Sequence, residues 1–143
     1  MKILVLNGPN LNMLGLREPD IYGAQTYDEL VTFVQQSAHE LGVQADVRQS
    51  NYEGELVTWI QQARGMADAI VINPAAYTHT SVAILDALLA VNLPAVEVHL
   101  SDVSAREEFR QMSYCARACK KVIAGQGFAG YREAMRFLAS PAK

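Results

Sequence analysis

The chain has 143 residues, half of them hydrophobic, and a formal net charge of −3. That length suits one domain with a sizeable core, spanning residues 1–143, and the charge gives no attraction for nucleic acid or for an acidic membrane surface. No apolar run is long enough to cross a bilayer, and the N-terminus lacks the basic, apolar and cleavage segments of a signal peptide, so the default location is the cytoplasm.

In chain order, Lys2–Leu6 reads as a buried strand. A connection of unusual length follows, from Asn7 to Gly23, carrying Asn7, Asn10, Asn12, Arg17 and Tyr22 between glycines and prolines. Loops this long in compact domains are often lids or binding loops. Thr26-Tyr27-Asp28-Glu29 is a capping-box pattern that opens a helix to about Leu41, with Gly42 as its stop. Strand two is Ala45–Gln49, and a helix follows from Glu53 to Arg64, stopped by Gly65. Strand three is Ala69–Ile72, and a third helix runs from Thr80 or Ser81 to Val91, ending near Asn92 and Pro94. Strand four is Ala95–Val98, and Ser104-Ala105-Arg106-Glu107 predicts a short capped helix. Strand five is Lys121–Ala124, and Phe128–Leu138 is the last helix. Five strands alternating with helices predict an α/β fold, a parallel sheet with helices on both faces. Ligands in such folds bind beyond the carboxyl ends of the strands, near a switch in strand order.

Those strand ends carry the polar chemistry. His99 ends strand four two residues after Glu97, so both side chains share one sheet face. A carboxylate orienting an imidazole suits general acid–base work; a satisfied polar pair beneath a loop is the alternative. His79, in the loop after strand three, is either a ligand contact or a loop brace, and His39 reads as solvated helix surface. Arg17 near Tyr22 would stabilise a phenolate and lower its pKa, although spacing alone favours a packed tyrosine and a solvated arginine. Asp86 is the lone charge on a helix otherwise nearly all apolar, a pattern of burial on several sides and hence of oligomer contact. It marks that helix's wet face or reaches a site, including one in a neighbouring subunit. Arg110 reads as surface and Trp59 as core packing.

Cys115 and Cys119 are spaced C-x3-C, which is not a redox C-x-x-C, and no His/Cys cluster completes a metal site. They read as ordinary packing or surface thiols. Gly125-Gln126-Gly127-x-x-Gly130 has no later strand with which to build a dinucleotide site. There is no P-loop, zinc-protease motif or nucleophile elbow, and the loops after strands one to four hold no lysine for a Schiff base. Tyr, Arg, His, Asn and backbone amides remain, a kit for proton transfer on a small polar molecule with an oxyanion held by donors.

Four segments in order now carry a resemblance: Leu6–Gly15 with Arg17-Glu18-Pro19 and Tyr22-Gly23, then Gln49–Glu55, then Ile72–Ser81, then Val96–Ser101. Together they resemble type II 3-dehydroquinate dehydratase over nearly the whole chain. The resemblance implies a single catalytic domain with a flavodoxin-like three-layer sandwich and a five-stranded parallel sheet. It implies reversible anti dehydration of 3-dehydroquinate to 3-dehydroshikimate in the shikimate pathway of aromatic amino acid biosynthesis. It also implies no metal or organic cofactor, and a homododecamer built as a tetramer of trimers. By motif, Tyr22 is the base at C2, assisted by Arg17. Asn12 with an ordered water stabilises the enolate, and His99, oriented by Glu97, protonates the leaving hydroxyl. Asn73 with the Leu100 and Ser101 amides resembles the carboxylate site, His79 and Arg110 the ring-hydroxyl contacts, and Asp86 the acidic residue from a neighbouring subunit. The loop from Arg17 to Tyr22 resembles a mobile lid.

The chain departs from the family pattern at Asp102 and Ser104, at Gln111-Met112, through the more basic Cys115–Lys121, and at Gln126. Asp102 stands closest to the site, where an added negative charge could weaken carboxylate binding or alter pH dependence. The rival reading is a flavodoxin-like module that binds a small ligand or nucleotide without catalysis. Residues 7 to 15 hold neither Ser nor Thr, which argues against a flavodoxin phosphate loop.

Overall fold

The computed structural model describes residues 1–16, 20 and 24–140. Strands β1 (Lys2–Asn7), β2 (Gln44–Gln49), β3 (Ala69–Asn73), β4 (Ala95–His99) and β5 (Lys121–Ala124) form one parallel sheet in the order β2-β1-β3-β4-β5. This is the doubly wound, flavodoxin-like order. The helices are α1 (Tyr27–Leu41), α2 (Glu53–Gln62), α3 (Val82–Val91) and α4 (Ala129–Ala139).

Alternation along each strand sorts the core into two layers. Ile3, Val5, Val71, Val96, Val98 and Ile123 meet Leu30 and Val34 of α1 and Tyr131, Ala134 and Met135 of α4. Leu4, Leu6, Ile70 and Ile72 meet Leu56 and Ile60 of α2 and Ile84, Ala87 and Leu88 of α3. Because β1 is buried on both sides, its sequence is continuously apolar rather than alternating. No described helix is long and apolar enough to cross a membrane.

The helix signals act as expected at α1 and α3. Thr26 Oγ1 accepts the Glu29 N–H at 3.2 Å, and Gly42 closes α1 in the left-handed region at φ 73°. Ser81 Oγ accepts the Ile84 N–H at 2.9 Å, and Asn92 closes α3 at φ 52°. Helix α2 stops at Gln62 rather than Arg64, after which Arg64 N–H turns back to the Gln61 carbonyl.

The capped helix expected at Ser104 does not form. Residues Val103–Ala105 and Glu108–Arg110 make separate 3-10 turns, with Arg106 extended between them at φ −106°, ψ −171°. The Asp102 carboxylate takes both the Ser104 N–H at 3.0 Å and its hydroxyl at 2.6 Å. Ser104 therefore sits inside an Asp-capped turn instead of starting a helix.

Candidate active site

Strands β1 and β3 are neighbours in the sheet, yet the chain leaves them for opposite sides of the strand order, which opens a crevice at their carboxyl ends. Their last residues, Asn7 and Asn73, are register partners. The hydroxyl of Tyr131, buried under α4, donates to Asn7 Oδ1 at 2.6 Å and accepts from Asn73 Nδ2 at 2.9 Å. Burial pushes that phenol well above its ordinary pKa, so it remains a neutral two-way bridge. Asn73 Oδ1 accepts the Ala75 N–H at 3.1 Å. A carboxamide carries two N–H donors, so one remains for a ligand. Gly8 N–H donates to the Asn73 carbonyl at 2.8 Å, and a Cβ on Gly8 would stand 2.5 Å from the Pro74 carbonyl oxygen. Only glycine fits where the two loops cross.

At the end of β4, His99 Nε2 hydrogen-bonds Glu97 Oε2, as alternation predicts. The Thr78 hydroxyl donates to the same oxygen at 2.8 Å, and Ser113 Oγ reaches Oε1 at 2.9 Å. Glu97 is fully buried, and every buried side-chain polar atom among the described residues has a partner. Burial pushes the Glu97 carboxyl up, but the hydrogen bond and charge of His99, with the hydroxyls of Thr78 and Ser113, outweigh it and hold the pKa below the ordinary value. The pair is an imidazole held in one tautomer by a permanent carboxylate.

The crevice is lined by Pro9, Asn10, Leu11, Met13 and Leu14 on one side, and by Asn73, His79, His99, Leu100, Ser101 and Arg110 among others opposite. His79 braces its loop, its Nδ1 pairing with the Met112 carbonyl at 2.7 Å, and it also lines the crevice. Arg110 is held by Glu107 at 2.7 Å, and Arg106 lines the same wall. These cations supply locally what the net charge lacks. No lysine is among the described lining residues. Gly125 and Gly127 N–H groups donate to the His99 and Leu100 carbonyls at 3.3 and 3.1 Å. The glycine motif thus braces the loop after β4 and is not a phosphate cradle.

A family model described as dehydroquinase class II matches residues 1–139. The chain belongs to this family. It is 58% identical over 134 residues to the 3-dehydroquinate dehydratase of Aeromonas salmonicida, covering 94% of this chain and 90% of that one. The Phenylobacterium zucineum 3-dehydroquinate dehydratase is 55% identical over 141 residues, covering 99% and 97%. Among solved structures, the type II dehydroquinase of Butyrivibrio crossotus superposes with a TM-score of 0.96 at 47% identity, covering 98% of both chains.

Within this class II dehydroquinase fold, Asn73, His79, His99, Leu100, Ser101 and Arg110 gather in one crevice, with Glu97 directly behind His99. Asn12 is exposed on the 3-10 turn Leu11–Met13 and is not among the lining residues; Gln49 Nε2 holds its Oδ1 at 3.3 Å. Asp86 is exposed on α3, outside the crevice. Arg17 and Tyr22 lie outside the described residues. Asp102 is likewise absent from the lining, and the Ser104 hydroxyl and N–H hold its carboxyl below the usual carboxylate range. Sequence reasoning missed Thr78, Ser113, Tyr131 and Arg106. Thr78 and Arg106 each lay inside a motif singled out for another reason, whereas Ser113 and Tyr131 carried no local signal.

Proposed function

We propose that this chain carries out the reversible anti dehydration of 3-dehydroquinate to 3-dehydroshikimate, in the shikimate pathway and in the cytoplasm. The Glu97–His99 pair at the switch-point crevice carries the reading, because an oriented imidazole beside amide donors and cations suits the elimination of a hydroxyl β to a ketone.

The substrate carboxylate is held by the Asn73 amide and the Leu100 and Ser101 N–H groups, and its ring hydroxyls by His79 and Arg110. The Tyr22 phenolate, stabilised by Arg17, removes the C2 proton beside the ketone. The electron pair moves onto the ketone oxygen as an enolate, which Asn12 and a water stabilise by hydrogen bonding. The enolate then re-forms the ketone, a C1–C2 double bond forms, and the C1–O bond breaks. His99 gives its proton to the leaving oxygen, and water departs. The Glu97 carboxylate behind the ring, bonded to Nε2, fixes the orientation in which the imidazole meets the leaving oxygen. Asp86 acts from a neighbouring subunit of a homododecamer, a tetramer of trimers. The exposed Val82 and Leu89 beside it on α3 support that assembly, being 49% and 56% accessible in the isolated chain.

The test is ultraviolet detection of the conjugated product from 3-dehydroquinate. The native protein should produce it, and Tyr22→Phe should lose about three orders of magnitude in turnover while keeping the native circular dichroism spectrum. No product from folded native protein would end the reading.

A further inference from the structure

The carboxylate behind His99 has other neighbours that the reaction does not use. Cys115 begins the 3-10 turn Cys115–Ala118 and is buried in the core layer under α2 and α3, while Cys119, just past that turn, is partly open. Ligand atoms of Glu97, Cys115 and Cys119 all lie within 4.8 Å of one another, and the two sulfurs are 4.0 Å apart. No other group of three such residues among those described comes together in this way. Tetrahedral zinc with bonds to sulfur of 2.3 Å sets two thiolates about 3.8 Å apart. A disulfide needs about 2.05 Å. The observed spacing therefore sits close to that of a chelate and far from that of a bridge. Two packed thiols also reach this distance, and Glu97 is held where it is by His99, Thr78 and Ser113; what singles the site out is that its carboxylate also falls within ligand range of both sulfurs. Closing the triangle onto an ion asks for side-chain rotations of roughly 1 Å.

We propose that Cys115, Cys119 and Glu97 chelate a thiophilic divalent cation of the zinc–cadmium class, and that filling the site switches the enzyme off. Both thiols lose their protons to solvent as the two metal–sulfur bonds form, no electron is transferred, and the fourth position is open to water. The cation engages the carboxylate that otherwise holds His99 Nε2 in place. Drawn onto the ion, that carboxylate no longer orients the imidazole toward the leaving oxygen, so the elimination step is lost. The inhibitory half rests on the role given to His99 above, whereas the binding half stands without it.

The experiment titrates cadmium chloride into the whole, metal-free protein. It follows the thiolate-to-cadmium charge-transfer absorption and proton release, with dehydration assayed on the same samples. One cadmium per subunit should bind with release of two protons, turnover should fall in parallel, and EDTA should restore it. Cys119→Ala should keep its metal-free activity, lose the charge-transfer band, and resist cadmium by at least about tenfold. Cys115→Val gives a second variant with the same expectation if Cys119→Ala does not fold. Absence of the band in native protein, or its persistence unchanged in a folded variant, would overturn the site. A band with undiminished turnover would overturn the switch. Native protein that binds cadmium but never dehydrates 3-dehydroquinate would fail the functional reading and leave the metal site standing.

Discussion

Glu97 is a buried charge that survives because four groups share its cost: His99, Thr78, Ser113 and the sheet that places it. Its folded pKa lies below the ordinary 4.5, so the folded state binds this proton less readily than the unfolded chain does. The stabilisation is complete above that ordinary value and is lost as pH falls through the folded one. Glu97→Gln should therefore lower stability by about 3 kcal/mol near neutrality. That gap should stay flat down to about pH 5 and narrow below it, as read from urea midpoints across pH. A gap that widens on acidification would reverse the assignment. Ser113→Ala removes a bond to Glu97 without touching the crevice. It should reduce kcat more than it changes KM and shift the pH profile of kcat, and Ser113→Thr should restore both. The Glu97–His99 pair was legible from the sequence because alternation along one strand is a local rule. Ser113 was not, because it reaches Glu97 from a separate segment through loop geometry that no periodicity encodes.

The same contrast holds for whole elements. Apolar runs located all five strands but ended β1, β3 and β4 one residue early, since each closes on a polar residue, Asn7, Asn73 or His99. Asn73 and His99 belong to both the sheet and the crevice wall, and Asn7 braces Asn73 through Tyr131, so a hydrophobic pattern stops short of all three. The helix expected at Ser104 failed because Asp102 competes for the hydroxyl that should have capped it. Ser81 met no such competitor, so Ser81→Ala should cost about 1 kcal/mol of global stability by chemical denaturation. Gly8→Ala is a sharper test of how the loops after β1 and β3 are locked. Its Cβ meets backbone atoms of Pro74 at 2.5 and 2.7 Å, which cannot rotate away. We expect a loss of about 1–3 kcal/mol and a raised KM, because Asn73 moves with that loop. Unchanged stability and KM would show that the crossing is slack.

For the molecule as a whole, alternating strands and helices made the doubly wound sheet legible, and the strand-end rule located the crevice. The partnership of α3 was less accessible: Asp86 is exposed, but beside Val82 and Leu89, so that face is more apolar than wet. Leu89→Arg should therefore break the proposed assembly, lowering the mass seen by sedimentation and the turnover together, since Asp86 would no longer reach a neighbouring site. A variant of unchanged mass would place the interface elsewhere. The central claim is that the crevice separates proton removal at C2 from loss of the hydroxyl at C1, with His99 serving only the second step. It is tested most directly by incubating His99→Ala with 3-dehydroquinate in heavy water and following both events by proton NMR. The account predicts deuterium at C2 with almost no conjugated product; product at the native rate, or loss of exchange as complete as the loss of product, would contradict it.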